Sequence, residues 1–443
     1  MLAEQIDVAL RHELLERMAA ARVRTDEIFA LVRPDYLYDR PIAERHRIIF
    51  YIGHLEAFDW NLLRDRLFAA PLTQPDFDRL FAFGIDPVAG GLPSDQPKDW
   101  PSISEVRDYV AKTRRAIDEG IERSLSSDSP DEREFPAVQL LQVAIEHRLM
   151  HAETLAYMLH QLPLDRKIRP SQKPEQLIKP VQPAMVQIPE GRTTLGLRAD
   201  SDTFGWDNEF ESYQAHVPAF EIDKHMVTNG QFLDFLKAGG YDNRRLWEPS
   251  DWTWKSEHNI AHPGFWRRKA RSWQLRTMFD EISLPTDWPV YVSHAEAVAY
   301  ARWAGKALPT EEQWQRAAYG TPDGEERQYP WGSELPNPAR GNFNFRRWDP
   351  SPVAASPEGQ STFGVQGLAG NGWEWTSSLF APFPGFKPFP FYLGYSADFF
   401  DGKHFVMKGG SAQTAACMLR RSFRNWFQPH YPHVYAGFRC VSN

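Results

Sequence analysis

Residues 135–161 read FPAVQLLQVAIEHRLMHAETLAYMLHQ, a Leu- and Ala-rich run whose apolar positions recur at helical spacing. Within it stands Glu146-His147-Arg148-Leu149-Met150-His151-Ala152-Glu153. The i,i+4 spacing puts the imidazoles of His147 and His151 on one helix face, roughly 6 Å apart at Cβ. That suits two cis ligands of one metal. Taken alone, the spacing fits two polar residues on a solvated face at least as well. The next turn carries Leu155, with Met158 and Leu159 nearby, so the two histidines point towards apolar neighbours.

Three more runs precede this one. Residues 5–33 show helical spacing and end at Arg33-Pro34. Residues 42–69 follow Pro41, which suits a first helical position. Residues 103–124 open with Ser102-Ile103-Ser104-Glu105, where Ser102 is the expected N-cap and Glu105 its capping-box partner. Residues 70–101, with Phe83-Gly84-Ile85-Asp86-Pro87 and Gly90-Gly91, read as a long loop. Four long helices with looped connections predict an all-α four-helix bundle over 1–162.

Residues 163–186 carry prolines and no apolar period, so they read as an extended linker. Beyond it, over 187–443, short strand-like runs, tight turns and Gly/Trp/Asn clusters dominate. A helix is expected over 293–305 and a second after Thr310, its N-cap. The expected fold class is therefore multidomain, a helical bundle followed by an α+β domain. A chain of 443 residues is long enough for two such cores.

A net charge of −8 points away from nucleic acid and anionic membrane as partners. No apolar run approaches the roughly 20 residues that span a bilayer. The charged N-terminal stretch has no apolar signal-peptide core. Two cysteines, Cys417 and Cys440, suit a reducing compartment, and the expected location is cytoplasmic.

Helix two supplies a third histidine in Tyr51-Ile52-Gly53-His54-Leu55-Glu56-Ala57-Phe58, with Gly53 beside it to permit close approach of another helix. His54, His147 and His151, inward from two facing helices, would make a facial set with open coordination positions. Glu153 is a candidate to orient a ligand imidazole, or else faces solvent. No HExxH is present, so a zinc-protease mechanism lacks its base.

These residues carry a resemblance. The helix-two histidine with HxxxHxE on helix four resembles a DinB-type metal domain. The second half resembles the formylglycine-generating-enzyme/sulfatase-modifying-factor fold, a C-type-lectin-like scaffold. The matching segments are 227–232, 291–311, Gly370-Asn371-Gly372-Trp373-Glu374-Trp375-Thr376 and Gly437-Phe438-Arg439. The two halves in this order, with Phe399-Phe400-Asp401-Gly402 and Ser422-Phe423-Arg424-Asn425-Trp426, are similar to the ergothioneine-type sulfoxide synthases (EgtB) and their ovothiol and selenoneine (SenA) relatives. The resemblance implies iron(II) on His54, His147 and His151, with O2, hercynine (Nα-trimethylhistidine) and a thiol or selenol donor as partners. It also implies a C–S or C–Se bond at the hercynine imidazole carbon. A quaternary ammonium calls for an aromatic wall, for which Trp426 and Phe427 are the candidates, with Asn425 for the carboxylate. Tyr392 and Tyr395 are both candidates for the proton-delivering tyrosine.

The chain departs from the family at the donor. Members that take γ-glutamylcysteine carry an Asp just after the Arg-Asn-Trp segment and an Arg four residues on, where this chain has Phe427 and Tyr431. Their Gln before the last histidine is here Met150, their GGSW is here Gly409-Gly410-Ser411-Ala412, and 81–100 has no Arg. Cysteine, or a selenosugar as in a selenoneine synthase, is the expected donor, with Tyr431 able to give one hydrogen bond. Two other classes stand beside this one. A formylglycine-generating oxidase would need active-site cysteines, and a non-catalytic binding protein would leave the three histidines without a purpose. Asp207, Asn208 and Glu209 have the character of calcium ligands but are equally ordinary turn residues, and no metal is assigned to them.

Overall fold

The structure is a computed structural model that describes residues 8–72, 74–82, 92–125, 136–171 and 182–442. It divides into two compact units, Met1–Pro170 and Ser171–Asn443. The glycine-rich part of the expected 70–101 loop and residues 172–181 of the expected 163–186 linker lie outside the described residues. The rest of that linker needs correction, because residues 163–170 belong to the first unit, where Lys167 bridges Val32, and Met185 and Val186 already lie in a strand.

In the first unit the long helices are α1 (Val8–Phe29), α2 (Ile48–Leu63), α4 (Ile103–Leu125) and α5 (Ala137–Gln161), with a short α3 (Pro75–Leu80) between α2 and α4. Helix α4 starts as its sequence predicts. The Ser102 N–H donates to Glu105 Oε2 at 2.8 Å, and the Glu105 N–H donates to Ser102 Oγ at 3.3 Å. Helix α2 does not begin after Pro41. Residues 41–47 turn instead, and Arg47 is the N-cap, with ψ 156. The reason is tertiary. Arg47 donates to the Tyr38 carbonyl at 2.8 Å and to Asp95 at 2.9 Å. The first free N–H groups of α2, those of Ile48 and Ile49, donate to the carbonyls of Asp39 and Leu37. These contacts outweigh local helix propensity, which is only a weak preference.

The expected 70–101 loop also needs correction, because it contains α3. Pro75 stands in its first turn with Asp76 and Asp78, the start that proline and acidic residues favour. The N–H of Phe81 donates back to the Phe77 carbonyl at 3.0 Å, so α3 delivers Phe81 to a defined place beside α2.

The second unit holds strands β1 (Met185–Ile188), β2 (Gly191–Leu195), β3 (Tyr213–Val217), β4 (Phe220–Asp223), β5 (Trp266–Lys269), β6 (Ser272–Arg276), β7 (Glu281–Ser283), β8 (Trp373–Leu379), β9 (Phe405–Lys408), β10 (Asn425–Phe427), β11 (Ala436–Gly437) and β12 (Val441–Ser442). They form sheets in the orders β1-β4-β12, β10-β9-β8-β11, β2-β3 and β5-β6-β7. Helices α6 (Asn229–Lys237), α7 (Pro249–Glu257), α8 (His294–Trp303) and α9 (Glu311–Tyr319) complete it. Capping boxes start three of them, at Thr228/Gln231, Ser293/Glu296 and Thr310/Gln313.

A buried ion pair explains two of the sequence motifs at once. Glu374 on β8 accepts both prongs of Arg439, each at 2.6 Å, and the indole N–H of Trp314 at 2.8 Å. Arg439 spends its remaining donors on the carbonyls of Asp223, Lys224 and Gln366. Every donor of this buried fork thus has an acceptor, which a charge in a core requires. No described helix is long and apolar enough to cross a membrane.

Candidate functional site

His54 projects from α2, and His147 and His151 from successive turns of α5, as the sequence spacing predicts. All three are buried, at 4%, 4% and 5% exposure. Their potential ligand atoms lie within 4.8 Å of one another. His147 Nε2 and His151 Nε2 are 3.1 Å apart. Two nitrogens each about 2.1 Å from one metal and at right angles would stand about 3.0 Å apart. His54 meets the Phe81 carbonyl through Nδ1 at 2.7 Å. Its Nδ1–H donates there, which leaves Nε2 unprotonated and available to a metal, the outer hydrogen bond fixing tautomer and ring together. Phe58 stacks on His147 at 3.4 Å and Phe50 on His54 at 4.8 Å, so flat rings restrict the imidazoles further.

Burial lowers the pKa of His54 to about 4, against the partial opposition of its bond to Phe81. Burial, and then the charges of neighbouring His151 and His54, push His147 well below the ordinary range. Burial followed by the charges of His54, Arg45 and Arg148 does the same to His151. All three are therefore neutral at pH 7, the form that ligates. The donor set of three neutral imidazoles fits a divalent transition metal such as iron, with positions left for other ligands.

A pH dependence follows. Each histidine has a folded pKa below its unfolded one, so the unfolded chain binds more protons under about pH 6.5. The stability this burial provides is complete above that pH and is lost as pH falls towards about 4. His54 alone should account for on the order of 3 kcal/mol. Thermal denaturation of metal-free protein at pH 7, 6, 5 and 4 should show a steep fall across that window, and His54→Ala should flatten it. An unchanged slope in the variant would mean that the ring is not buried neutral.

Gly53 matters for a different reason from the one its sequence suggests. An added Cβ would meet the Phe81 ring at 2.5 Å, so the close approach belongs to an aromatic side chain. Gly53→Ala should displace Phe81 and with it the carbonyl that orients His54. We expect a destabilisation of about 1–3 kcal/mol together with weaker metal binding, read by calorimetry and metal titration. A stable variant with parental metal affinity would contradict the assignment of Phe81.

Sequence reasoning missed the ionic cluster beside these histidines. Arg148, next to His147, pairs with Glu56 at 2.9 Å and Asp59 at 2.5 Å. The available signal was a set of charged residues interrupting the otherwise apolar faces of α2 and α5. Glu153 is buried and so does not face solvent.

In the second unit, β10 carries Asn425, Trp426 and Phe427, all half-buried. Alternation along a strand sends Trp426 to one face and its two neighbours to the other, so Trp426 and Phe427 do not form one wall as expected. Trp426 stacks on Phe380 at 4.1 Å and 7°, with Tyr395 and Phe399 each at 5.6 Å. Phe427 stacks on Tyr431 at 5.2 Å. Sequence inspection missed Phe380 and Phe399 as parts of the Trp426 wall. Of the two candidate tyrosines, Tyr395 reaches Trp426, while Tyr392 packs beside Tyr395 at 5.5 Å. Asn425 Oδ1 accepts from the Trp426 N–H at 2.9 Å, which leaves the amide NH2 as the side chain's donor.

Of residues 207–209, Glu209 and one oxygen of Asp207 are engaged within the protein, while Asp207 Oδ2 and Asn208 Oδ1 have no hydrogen-bond partner among the described residues. Glu209 accepts from Arg420 at 2.5 and 2.9 Å and from Ser422 Oγ at 2.6 Å, and Asp207 accepts from Ser396 Oγ at 2.6 Å. Cys417 and Cys440 are both free thiols. Burial pushes the Cys440 thiol well above its ordinary pKa, so it is not a ready nucleophile.

Comparison with known proteins places these features in context. Residues 170–443 match the family described as sulfatase-modifying factor enzyme 1-like domain, and residues 17–155 match the DinB superfamily. The chain is 34% identical to a hercynine oxygenase of Mycolicibacterium smegmatis, over 97% of this chain and 99% of that protein. It is 40% identical to a hercynine oxygenase of Mycobacterium tuberculosis over 56% of this chain and 58% of that protein. It is 27% identical to ergothioneine biosynthesis protein 1 of Neurospora crassa, covering 91% of this chain and 55% of that protein.

Proposed function

The chain belongs to the family of the hercynine oxygenases, and from that premise we propose that it is an iron(II)- and O2-dependent enzyme that joins sulfur or selenium to the imidazole carbon of hercynine. The observation that carries this reading is the convergence of three buried, neutral imidazoles from α2 and α5 with their ring nitrogens facing one another. Non-haem iron(II) on those nitrogens would supply the redox chemistry that reduces O2. The electrons balance without a further reductant. Replacing the carbon-bound hydrogen of hercynine and the S–H hydrogen of the donor by a C–S bond releases two electrons. Oxidising that sulfur to the sulfoxide releases two more. Together they reduce one O2, one oxygen going to sulfur and the other to water.

The chain's own residues divide the remaining work. Phe81 holds the His54 tautomer. Trp426, with Tyr395 and Phe399 at its edges, takes the trimethylammonium, and the Asn425 amide donates to the hercynine carboxylate. Tyr395 is assigned the proton transfer, because it is the candidate tyrosine in contact with Trp426. Phe427 and Tyr431 recognise the donor, and their stacked rings favour cysteine over γ-glutamylcysteine. The same pair supports a second reading with the same acceptor, in which a selenosugar is the donor and the enzyme makes selenoneine.

The acceptor assignment is tested by binding. Hercynine should bind more tightly than histidine by about 0.5–2 kcal/mol, the contribution of a cation over an aromatic face. Trp426→Ala should narrow that preference. Equal affinities for hercynine and histidine in the parent protein would remove Trp426 from the acceptor site.

A further inference from the structure

Along both helices that carry the histidines runs an ionic cluster that the proposed chemistry does not use. Arg148 on α5 and Glu56 and Asp59 on α2 each have 0% exposure. One guanidinium makes four bonds, all of them to α2. Nη1 donates to Glu56 Oε1 at 2.9 Å. Nη2 donates to Asp59 Oδ2 at 2.5 Å and to the Leu55 carbonyl at 3.1 Å, and Nε donates to Asp59 Oδ2 at 3.2 Å. Leu55 directly follows His54, and Arg148 directly follows His147. The cluster continues outward. Glu56 Oε1 also accepts from Arg114 Nε of α4 at 2.8 Å, and Arg114 holds Asp26 of α1 through two bonds of 2.7 Å. One chain of charges thus runs through all four long helices.

Stability alone is a poor reason for such a cluster. The cost of burying charges commonly cancels their attraction, and well-packed apolar residues often do as well or better. Glu56 Oε2 and Asp59 Oδ1 add to that cost, since neither has a hydrogen-bond partner among the described residues. What a planar guanidinium fork does supply is a fixed relation between two backbones. A slip of one helical turn, about 5.4 Å, would break all four bonds. It would also carry His147 and His151 away from His54.

We propose that Arg148, Glu56 and Asp59 form a register clamp, positioning residues that hold His54 on α2 against His147 and His151 on α5 in the geometry a metal requires. The clamp rests on the metal reading of the three histidines given above. It would play the part that outer hydrogen-bonding partners play at other metal sites, where their loss typically weakens metal binding about 10–100-fold.

The test is anaerobic titration of the full-length protein with Co(II), whose visible bands report ligand number and geometry, beside melting temperature. The parent should take up one Co(II). Arg148→Met combined with Glu56→Met and Asp59→Leu removes all three fully buried charges together; Arg114 loses its bond to Glu56 but keeps both bonds to Asp26. That triple variant should stay folded, bind Co(II) about 10–100-fold more weakly and show altered bands. Arg148→Lys keeps the charge but not the fork, and should also bind more weakly with altered bands. A folded triple variant with parental affinity and bands would overturn the clamp. Should the triple variant fail to fold, parental affinity and bands in Arg148→Lys would overturn it equally. Weakened binding confined to variants whose melting temperature also falls would reduce the cluster to scaffolding and overturn it too. A parent that takes up no Co(II) would instead overturn the metal reading beneath it.

Discussion

Replacing His54, His147 or His151 by Ala, one at a time, should abolish turnover and lower metal affinity by more than ~100-fold, since each is proposed as a direct ligand and loss of an outer partner alone costs about 10–100-fold. The fold should survive. In the metal-free chain each substitution leaves a cavity but also removes a buried polar ring that burial holds neutral, and these effects oppose each other. Melting temperatures of the metal-free variants should therefore stay within several degrees of the parent at pH 7. Metal content by elemental analysis, melting temperature and turnover together make the check. A variant with full metal content and activity would remove its histidine from the site.

γ-Glutamylcysteine should be a poor donor. Relative to cysteine it brings an extra carboxylate, and the positions where relatives place an acid and a cation are here Phe427 and Tyr431, stacked 5.2 Å apart. An unpaired charge in a partly buried pocket costs several kcal/mol, and each ~1.4 kcal/mol is tenfold in rate. We expect kcat/KM at least ~100-fold below that of cysteine or of a selenosugar. Three nearby residues that could receive a carboxylate are already engaged. Arg420 holds Glu209 at 2.5 Å, Arg421 holds Glu326 at 3.1 Å, and His430 meets Asp251 at 2.7 Å. Parallel assays with the three donors decide the matter. A clear preference for γ-glutamylcysteine would show that another cation receives the extra carboxylate. Phe427→Asp combined with Tyr431→Arg should move preference towards γ-glutamylcysteine.

How much of this could be read from the sequence depends on how far apart the interacting residues lie along the chain. The pair His147 and His151 was legible because a helix places i and i+4 together. Ser102 with Glu105 was legible for the same reason, as was Thr310 as an N-cap, although its partner Gln313 emerges only from the structure, each cap being closed within three residues. The start of α2 was misread because Arg47 is held by Asp95, 48 positions away. Helix α3 was hidden among loop-forming residues although Pro75, Asp76 and Asp78 are a helix-start signal. The cluster of Arg148 with Glu56 and Asp59 joins residues 92 and 89 positions apart. No local pattern pairs them. The division of Trp426 from Phe427 was available in principle from strand alternation, but it required knowing that 425–427 is a strand.

Use of iron(II) and O2 by this chain to bond a chalcogen to hercynine can be tested on the protein itself. The most direct measurement starts from metal-free protein loaded anaerobically with iron(II). Hercynine and cysteine are added, air is admitted, and O2 consumption is followed together with product mass; a selenosugar replaces cysteine in a parallel reaction. The expected result is O2 uptake coupled to a hercynine–donor adduct with at least one of these donors, absent without iron(II), without air, or in the His151→Ala variant. An iron-loaded protein that yields no hercynine adduct from either donor, or one that forms the adduct equally well without metal, would contradict it.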